Sequence, residues 1–199
     1  EGDTIFFIAA PEKAACIYAG QIRNELGSRL DLLEKDAYRF CYINDFPMYE
    51  IDEETGKLGF THNPFSMPQG GLEALTEKDP LDILAYQYDI VCNGVELSSG
   101  AVRNHDMEIM EKAFDIAGYD KETLKDKFGA LYNAFQFGAP PHAGMAPGVD
   151  RMIMLLRNEE NIREIIAFPM SGTAQDLMCG APNEITEQQL REVHIKVRD

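Results

Sequence analysis

The sequence predicts an α+β fold in which helices flank an antiparallel β-sheet. The strand-like runs lie mainly between residues 39 and 100, and most segments with helix caps lie after residue 105. Two β-prone runs flank Asn93-Gly94, the preferred pair for a two-residue hairpin turn. Because strands and helices are segregated along the chain instead of alternating, the pattern favours an antiparallel sheet.

The first third of the chain contains further predicted elements. Residues 4–10, TIFFIAA, form a short apolar run typical of a buried strand. Residues 11–27 place apolar side chains at helical spacing between a proline and a glycine, which predicts a helix. Residues 39–52 are rich in aromatic and β-branched side chains and predict a strand interrupted at Pro47. A hairpin is predicted around Thr55-Gly56.

Cap residues predict the helices of the second half. Asp106 and Asp120 each precede an apolar helical pattern, and each pattern ends at a glycine, Gly118 or Gly138. Another helix is predicted from about Asp150, with Asp150 as its cap or Arg151 as its first residue. The final helix is predicted from a capping box, Thr186-x-x-Gln189.

Composition limits the size and the partners of the protein. The 199 residues are 45% hydrophobic, which suffices for one packed core with a small second lobe. The formal net charge is −16. A free-standing nucleic-acid binder would carry a basic face, because neutralising phosphates supplies most of its affinity. Any contact with nucleic acid must therefore rely mainly on residues outside this chain.

The sequence carries no targeting or cross-linking pattern. No apolar run approaches the roughly 20 residues of a membrane span, and no basic segment typical of a signal peptide opens the chain. The abrupt start, without Met, is typical of a fragment of a longer protein. The widely spaced cysteines predict reduced, mostly buried thiols in a cytoplasmic protein, with no disulfide framework or compact zinc site: Cys16, Cys41, Cys92 and Cys179.

The central hairpin brings two carboxylates together. A two-residue turn at Asn93-Gly94 sets Val91 opposite Glu96, and Asp89 then lies on the same face as Glu96. Mg²⁺ is commonly held by one or two carboxylates together with substrate phosphates, so this pair is a candidate metal site. The alternatives are a solvated sheet face or a carboxylate paired with an arginine.

Arg103 joins that face only if the strand is irregular. It follows Glu96 by seven residues, so strict alternation would send it to the opposite face. A bulge at Gly100 would shift the alternation by one residue and bring Arg103 beside the carboxylates. Its planar guanidinium would then suit a substrate carboxylate, although an ordinary ion pair explains it equally well.

Two loops offer further candidates. His62 lies in the turn-rich stretch FTHNPFS, where a histidine is either a mobile substrate contact or an ordinary surface residue. The stretch GAPPHAGMAPGVDRMIMLL, residues 138–156, stiffens the backbone with prolines and thins it with glycines such as Gly144 and Gly148. Arg151 then stands beside a helix N-terminus, a favourable place for nucleotide phosphates. A tight turn with an arginine ion pair is the alternative.

Taken together, these motifs resemble the C-terminal half of the bacterial aspartyl-tRNA synthetases, which are class II enzymes. The stretch at 138–156 is similar to the third class II motif of that family, and YDIVCNGVELSSGAVRNHD is similar to the strand pair before it. FTHNPFS resembles the family's histidine loop, and IIAFPM resembles its closing segment. GDTIFFIAA resembles the end of the domain inserted in bacterial members. The resemblance extends over essentially the whole chain.

The resemblance implies an activity and a role for each candidate. The family activates L-aspartate with ATP to aspartyl-adenylate and then transfers it to the tRNA 3′ end. By resemblance, Glu96 and Asp89 would hold Mg²⁺ and ATP, and Arg151 would contact the nucleotide as the catalytic arginine. Arg103 would bind the side-chain carboxylate of aspartate, and His62 would close over the aminoacyl site. Three further residues would line the ATP site: Gly148, Val149 and Asp150.

The resemblance also implies what the chain lacks. The first two class II motifs, which build the homodimer and much of the aspartate site, and the anticodon-binding domain are absent, so the fragment is expected to be inactive alone. Residues 1–36 would end the inserted domain, and residues 37–199 would belong to the catalytic domain. Two alternatives remain: a stand-alone, non-catalytic module that binds a nucleotide or an amino acid, and a related amide-forming enzyme.

Overall fold

The computed structural model describes residues 2–198, and the chain divides into two compact units between Arg39 and Phe40. This division lies three residues after the predicted domain boundary, and the assignment of the first unit to an inserted domain stays a prediction. The first unit contains helix α1, Glu12–Arg29, which confirms the predicted helix and extends it by two residues.

The prediction of a strand at residues 4–10 is wrong. No strand forms there, and the side chains of Ile5 and Phe7 are exposed. A strand is stable only when its backbone pairs with a neighbour, and the described part of the chain supplies none to these residues. The apolar run therefore lacks the ladder that its composition would favour.

The second unit is built on an antiparallel sheet, as predicted. Its strands in the described residues are β1 Phe40–Pro47, β2 Tyr49–Ile51, β3 Leu58–Phe60, β4 Leu84–Cys92, β5 Val95–Val102 and β6 Ala143–Pro147. Four of them form one sheet in the order β1-β4-β5-β6, and β2 pairs with β3 separately. The predicted interruption near Pro47 is confirmed, because β1 ends there and β2 begins at Tyr49.

Both predicted hairpins are present. The turn at Thr55-Gly56 joins β2 to β3, which pair antiparallel. Asn93 and Gly94 join β4 to β5 with φ values of 49° and 82°. Positive φ at both central residues is the requirement of the two-residue turn whose twist matches the flanking strands.

Within the described residues the second unit also contains five α-helices, three of which begin at the predicted caps. They are α2 Gly71–Glu77, α3 Met107–Ile116, α4 Lys121–Phe135, α5 Val149–Leu156 and α6 Glu187–Glu192. The Asp106 carboxylate accepts from two N–H groups of the first turn of α3, and Asp120 accepts from the Thr123 N–H in α4. The capping box of Thr186 and Gln189 is complete. Each cap satisfies donors that the helix itself leaves unpaired.

The core lies where the short hairpin and the helices meet. One cluster joins Met48, Tyr49, Leu75, Ile83, Ala85 and Ala113, and a second joins Met110, Phe114, Leu124 and Tyr132. The Tyr49 hydroxyl donates to the Ala113 carbonyl at 2.9 Å. Burial raises the pKa of Tyr49 well above its ordinary value, so this hydroxyl stays protonated and keeps α3 fastened to the hairpin.

A short segment separates the two central strands at one end of the sheet. We call residues 66–69 the wedge segment. The Met67 N–H donates to the Val102 carbonyl at 2.8 Å, and the Tyr86 N–H donates to the Met67 carbonyl at 2.9 Å. The wedge segment thus pairs with β5 on one side and β4 on the other, so the loop that precedes it is anchored on the sheet.

The structure also bears on the predictions about the cysteines and about membrane spans. The four cysteines are free, as expected, but only Cys92 is buried, so the prediction of mostly buried thiols is wrong. Within residues 2–198, no helix has the length and apolar character needed to cross a bilayer.

Candidate functional site

A bulge in β5 decides which side chains share the face of the sheet. Val91 lies opposite Glu96, but Ile90 lies opposite Ser98, so Leu97 is an extra residue in β5. A bulge of this kind shifts the alternation of every later residue in its strand. The predicted bulge therefore exists, but it lies at Leu97 and not at Gly100.

The bulge brings Arg103 to the face of the two carboxylates. Asp89 is opposite Ser99, and Gln87 is opposite Ala101. Partners across a strand pair share a face, and alternate residues repeat it. Arg103, two residues after Ala101, consequently lies on the same side as Asp89 and Glu96. We call this side of the central strands the acidic face.

Gly100 is not the bulge residue that the sequence predicts, and its lack of a side chain is needed for close packing instead. A Cβ atom at this position would lie 2.5 Å from the Gly144 carbonyl oxygen and 2.5 Å from Cε2 of Tyr88. The Tyr88 hydroxyl donates to the same Gly144 carbonyl at 3.0 Å. Glycine is therefore required because the Tyr88 side chain passes over β5 to bind β6.

The glycine- and proline-rich stretch forms an edge strand and a helix start. Its residues Ala143–Pro147 are β6, which pairs along β5 from Ser98 to Val102. Proline is tolerated there because an edge strand needs only one hydrogen-bonded side. Neither Gly144 nor Gly148 has positive φ, and a Cβ on Gly144 would meet nothing within 4 Å. Gly144 therefore leaves open space beside the strand.

Helix α5 begins earlier than predicted. Val149 is its first residue and Gly148 its cap, so the prediction that Asp150 caps the helix or Arg151 begins it is wrong. The Gly148 N–H donates to the Leu97 carbonyl at 2.7 Å. This bond ties the helix start to the bulge, and it fixes the chain two residues before Asp150.

Arg151, in the first turn of α5, contacts Glu96 across the site. Its Nη1 donates to the Glu96 carbonyl oxygen at 2.7 Å and to Glu96 Oε1 at 3.2 Å. The two side chains are 44% and 48% exposed, so water screens the ion pair and its net contribution to stability is small. Their exposure leaves both groups accessible to a ligand.

Arg103 is held by its backbone and free at its side chain. Its N–H donates to the His142 carbonyl at 2.9 Å, and it bridges to Ser66 of the wedge segment. Within residues 2–198 its guanidinium has no ion pair or hydrogen bond. Arg103 also lines a cavity of about 210 Å³, together with Phe65, Asn104, Leu131, Phe135 and His142. An unpaired guanidinium on a fixed backbone is suited to an incoming carboxylate.

His62 lies at the edge of the site. Its side chain is exposed, and its ring packs edge-on against Phe46 of β1, with the ring centroids 5.2 Å apart. No hydrogen bond joins His62 to Asp89, Glu96 or Arg103 in the part of the chain described. The structure therefore brings Asp89, Glu96, Arg103 and Arg151 to one region but leaves His62 on its border.

The metal prediction can be compared with the donors on the acidic face. Among residues 2–198, no group of three or more His, Cys, Asp or Glu side chains could enclose a metal ion. Asp89 and Glu96 lie on the same face, and Asp89 has no ion pair or hydrogen bond from its side chain to other described residues. Two carboxylate donors fit Mg²⁺, which takes its other ligands from water and phosphate.

Sequence reasoning missed Gln87. It precedes Asp89 by two residues, so strand alternation alone puts it on the acidic face. It is only 7% exposed, and its Nε2 donates to the Asn63 carbonyl at 3.4 Å. The same alternation that selected Asp89 could have selected Gln87.

Comparison with known proteins gives the family. Residues 12–172 match the family described as tRNA synthetases class II (D, K and N). The chain belongs to this family. Its antiparallel sheet flanked by helices is similar to the aspartyl tRNA synthetase from Entamoeba histolytica, with a TM-score of 0.50 and 26% identity over 88% of this chain and 29% of that chain. The predicted resemblance and fold class are therefore confirmed.

Two bacterial relatives are similar over almost the whole chain. The aspartate–tRNA(Asp/Asn) ligase of Zymomonas mobilis is 60% identical over 197 residues, which cover 99% of this chain and 33% of that protein. The aspartate–tRNA ligase of Streptomyces avermitilis is 61% identical over 99% of this chain and 34% of that protein. The chain thus spans about a third of the length of these relatives.

Proposed function

We propose that this chain supplies one wall of the active site of an aspartate–tRNA ligase. The observation that carries the proposal is the acidic face, where a bulge at Leu97 combines Asp89, Glu96 and Arg103 with the Arg151 contact. Relatives at about 60% identity are named as ligases of this kind. The substrates would be L-aspartate, ATP and tRNA.

The ATP end of the site would lie at the hairpin and the start of α5. Arg151 already donates to Glu96, so nucleotide binding would replace this contact with one to ATP. Backbone groups of residues 148–150 adjoin the helix N-terminus, whose free N–H groups favour phosphate. Asp89 and Glu96 would hold Mg²⁺, which when bound neutralises phosphate charge.

The aspartate end would lie at Arg103. A guanidinium can form two parallel hydrogen bonds to a carboxylate, which gives both affinity and orientation. The Arg103 backbone is fixed by His142 and Ser66, so binding would have to order only its side chain. His62 would move from Phe46 toward bound aspartate and cover it.

The chemistry would be done by positioning and charge. The α-carboxylate of aspartate attacks the α-phosphorus of ATP, the bond to the β-phosphate oxygen breaks, and aspartyl-adenylate and pyrophosphate form. The tRNA 3′-terminal hydroxyl then attacks the activated carbonyl and releases AMP. Neither step needs a protein nucleophile, which agrees with a site made of arginines and carboxylates.

Recognition of tRNA would lie mostly outside this chain. A net charge of −16 opposes binding to phosphates. We propose that the whole ligase is a cytoplasmic homodimer, that other parts of it bind the anticodon, and that this chain alone does not complete the site. Whether the ligase charges one or two tRNA species would also depend on those parts.

The role of Arg151 can be tested in the full-length ligase by aspartate-dependent ATP–pyrophosphate exchange. Replacing Arg151 with Ala removes a charged hydrogen-bond donor, which is worth about 1.5–3 kcal/mol, so exchange should fall at least tenfold. Arg157→Ala is the matched control, because Arg157 is exposed at the end of the same helix. Wild-type exchange by the Arg151→Ala enzyme would refute this assignment.

A further inference from the structure

Gln87 connects the floor of the site to the loop that carries His62. Its Nε2 donates to the Asn63 carbonyl at 3.4 Å, and the Ser66 N–H donates to the same carbonyl at 3.2 Å. The long Gln87 bond is one of two that share this acceptor. Since Asn63 follows His62 directly, these two donors fix the chain at the point from which the His62 side chain extends.

The remainder of the loop base is also fixed. The Asn63 side chain accepts from the Phe65 N–H at 2.9 Å, and the Asn104 N–H donates to the Phe65 carbonyl at 2.7 Å. The wedge segment follows immediately and pairs with both central strands. Between His62 and the wedge segment, the Gln87 side chain reaches the loop from the acidic face.

The burial of Gln87 indicates that its amide has a structural purpose in the site. The side chain is 7% exposed in a sheet whose neighbouring floor residue, Ala101, is 1% exposed. Placing an amide in such surroundings costs free energy unless it is hydrogen-bonded. Met would fill a similar volume without this cost, so the amide is useful chiefly for its bond to Asn63.

We propose that Gln87 is a positioning residue that sets the distance between the His62 loop and bound aspartate. This inference rests on the proposed function, because it acts through the role given there to His62. Gln87 lies at the Arg103 end of the acidic face, four residues along β4 from Val91, the partner of Glu96. That separation is roughly 13 Å along the strand, so Gln87 acts on aspartate and not on ATP.

The test uses the full-length ligase with two variants of Gln87. Gln87→Glu replaces the NH₂ donor by an oxygen that cannot donate to Asn63, and Gln87→Met removes the donor while keeping the volume. Losing a neutral hydrogen bond corresponds to about a two- to tenfold change. We expect the KM for aspartate to rise by this factor in Gln87→Met and by at least this factor in Gln87→Glu, whose carboxylate also faces the Asn63 carbonyl, with the KM for ATP and kcat within twofold of wild type.

A matched control and a double variant complete the design. Gln136→Glu makes the same chemical change at an exposed position after α4 and is expected to leave all constants unchanged. In a His62→Ala background, Gln87→Met should add little further increase in the KM for aspartate, because both changes act through one loop. Thermal melting by circular dichroism checks that each variant is folded.

Three results would overturn the inference. They are an unchanged KM for aspartate in both Gln87 variants, an equal rise in the KM values for aspartate and ATP, and full additivity with His62→Ala. A His62→Ala enzyme with wild-type aspartate kinetics would instead refute the role of His62 in the proposed function. If Gln87→Met still raised the KM for aspartate in that case, Gln87 would act by another route, and this inference would also fail.

Discussion

Replacing Gly100 with alanine tests the central packing feature of the sheet. In the wild-type chain, the Tyr88 side chain crosses β5 at Gly100 and donates to the Gly144 carbonyl of β6. A Cβ at residue 100 would lie 2.5 Å from that carbonyl oxygen and from the Tyr88 ring. Real Cβ contacts do not reach this distance, so either β6 or the tyrosine must move.

The expected loss of stability follows from these two conflicts. Overpacking of a well-packed site typically costs about 1–3 kcal/mol. Displacing Tyr88 also breaks its hydrogen bond to Gly144, which is worth about 1 kcal/mol. Together the Gly100→Ala variant should lose roughly 2–4 kcal/mol of unfolding free energy, a large part of the usual stability of a domain.

Urea unfolding followed by circular dichroism measures this loss. The matched control is Gly144→Ala on the adjacent strand, since a Cβ there meets nothing within 4 Å and φ is not positive. That variant should stay within about 0.5 kcal/mol of wild type. If Gly100→Ala unfolds at the same urea concentration as Gly144→Ala, the argument for close approach is refuted.

Two further predictions concern the helix caps. Hydrogen bonds from the backbone N–H and the side chain of Thr123 hold the pKa of Asp120 below its ordinary value of 3.8. The ionised Asp120 carboxylate therefore stabilises the folded state above about pH 4, and this stability is lost as the pH falls through the lower folded pKa. Unfolding free energy measured from pH 5 downward should therefore fall less steeply in Asp120→Asn than in wild type, and equal slopes would contradict the assignment. Asp106→Ala should cost about 1 kcal/mol in urea unfolding, whereas Asp106→Asn, which still caps α3, should keep most of that stability. Equal losses in these two variants would show that capping is not the cause.

The candidate site could be predicted in part because it depends on strand alternation. The turn at Asn93-Gly94 fixes Val91 opposite Glu96, so the shared face of Asp89 and Glu96 follows from counting residues. The position of Arg103 does not follow, because its side depends on whether a bulge lies between it and Glu96. The bulge at Leu97 has no glycine, and it coincides with a tertiary contact, because the Leu97 carbonyl accepts from the Gly148 N–H, which lies far along the chain.

The failed predictions have the same origin. Residues 4–10 have the composition of a strand, but no neighbour in the described chain completes their hydrogen bonds. The glycine- and proline-rich stretch looks like a loop by composition, yet Ala143–Pro147 is a strand because β5 offers it a free edge. Local sequence determines what a segment can form, and pairing with distant residues determines whether it does.

By itself, the sequence determined the α+β class, most helix starts, both hairpins and the family to which the chain belongs. The class, the helix starts and the hairpins depend on short-range physics, because a cap lies within three residues of its donors and a turn lies within two residues of its strands. The family follows instead from the resemblance of whole motifs. Only the tertiary structure decided that Arg103 shares a face with Asp89, that Arg151 reaches Glu96, and that Gln87 donates to the Asn63 carbonyl. Each of these depends on a contact between residues far apart in the chain, and no local pattern specifies the register of such a contact.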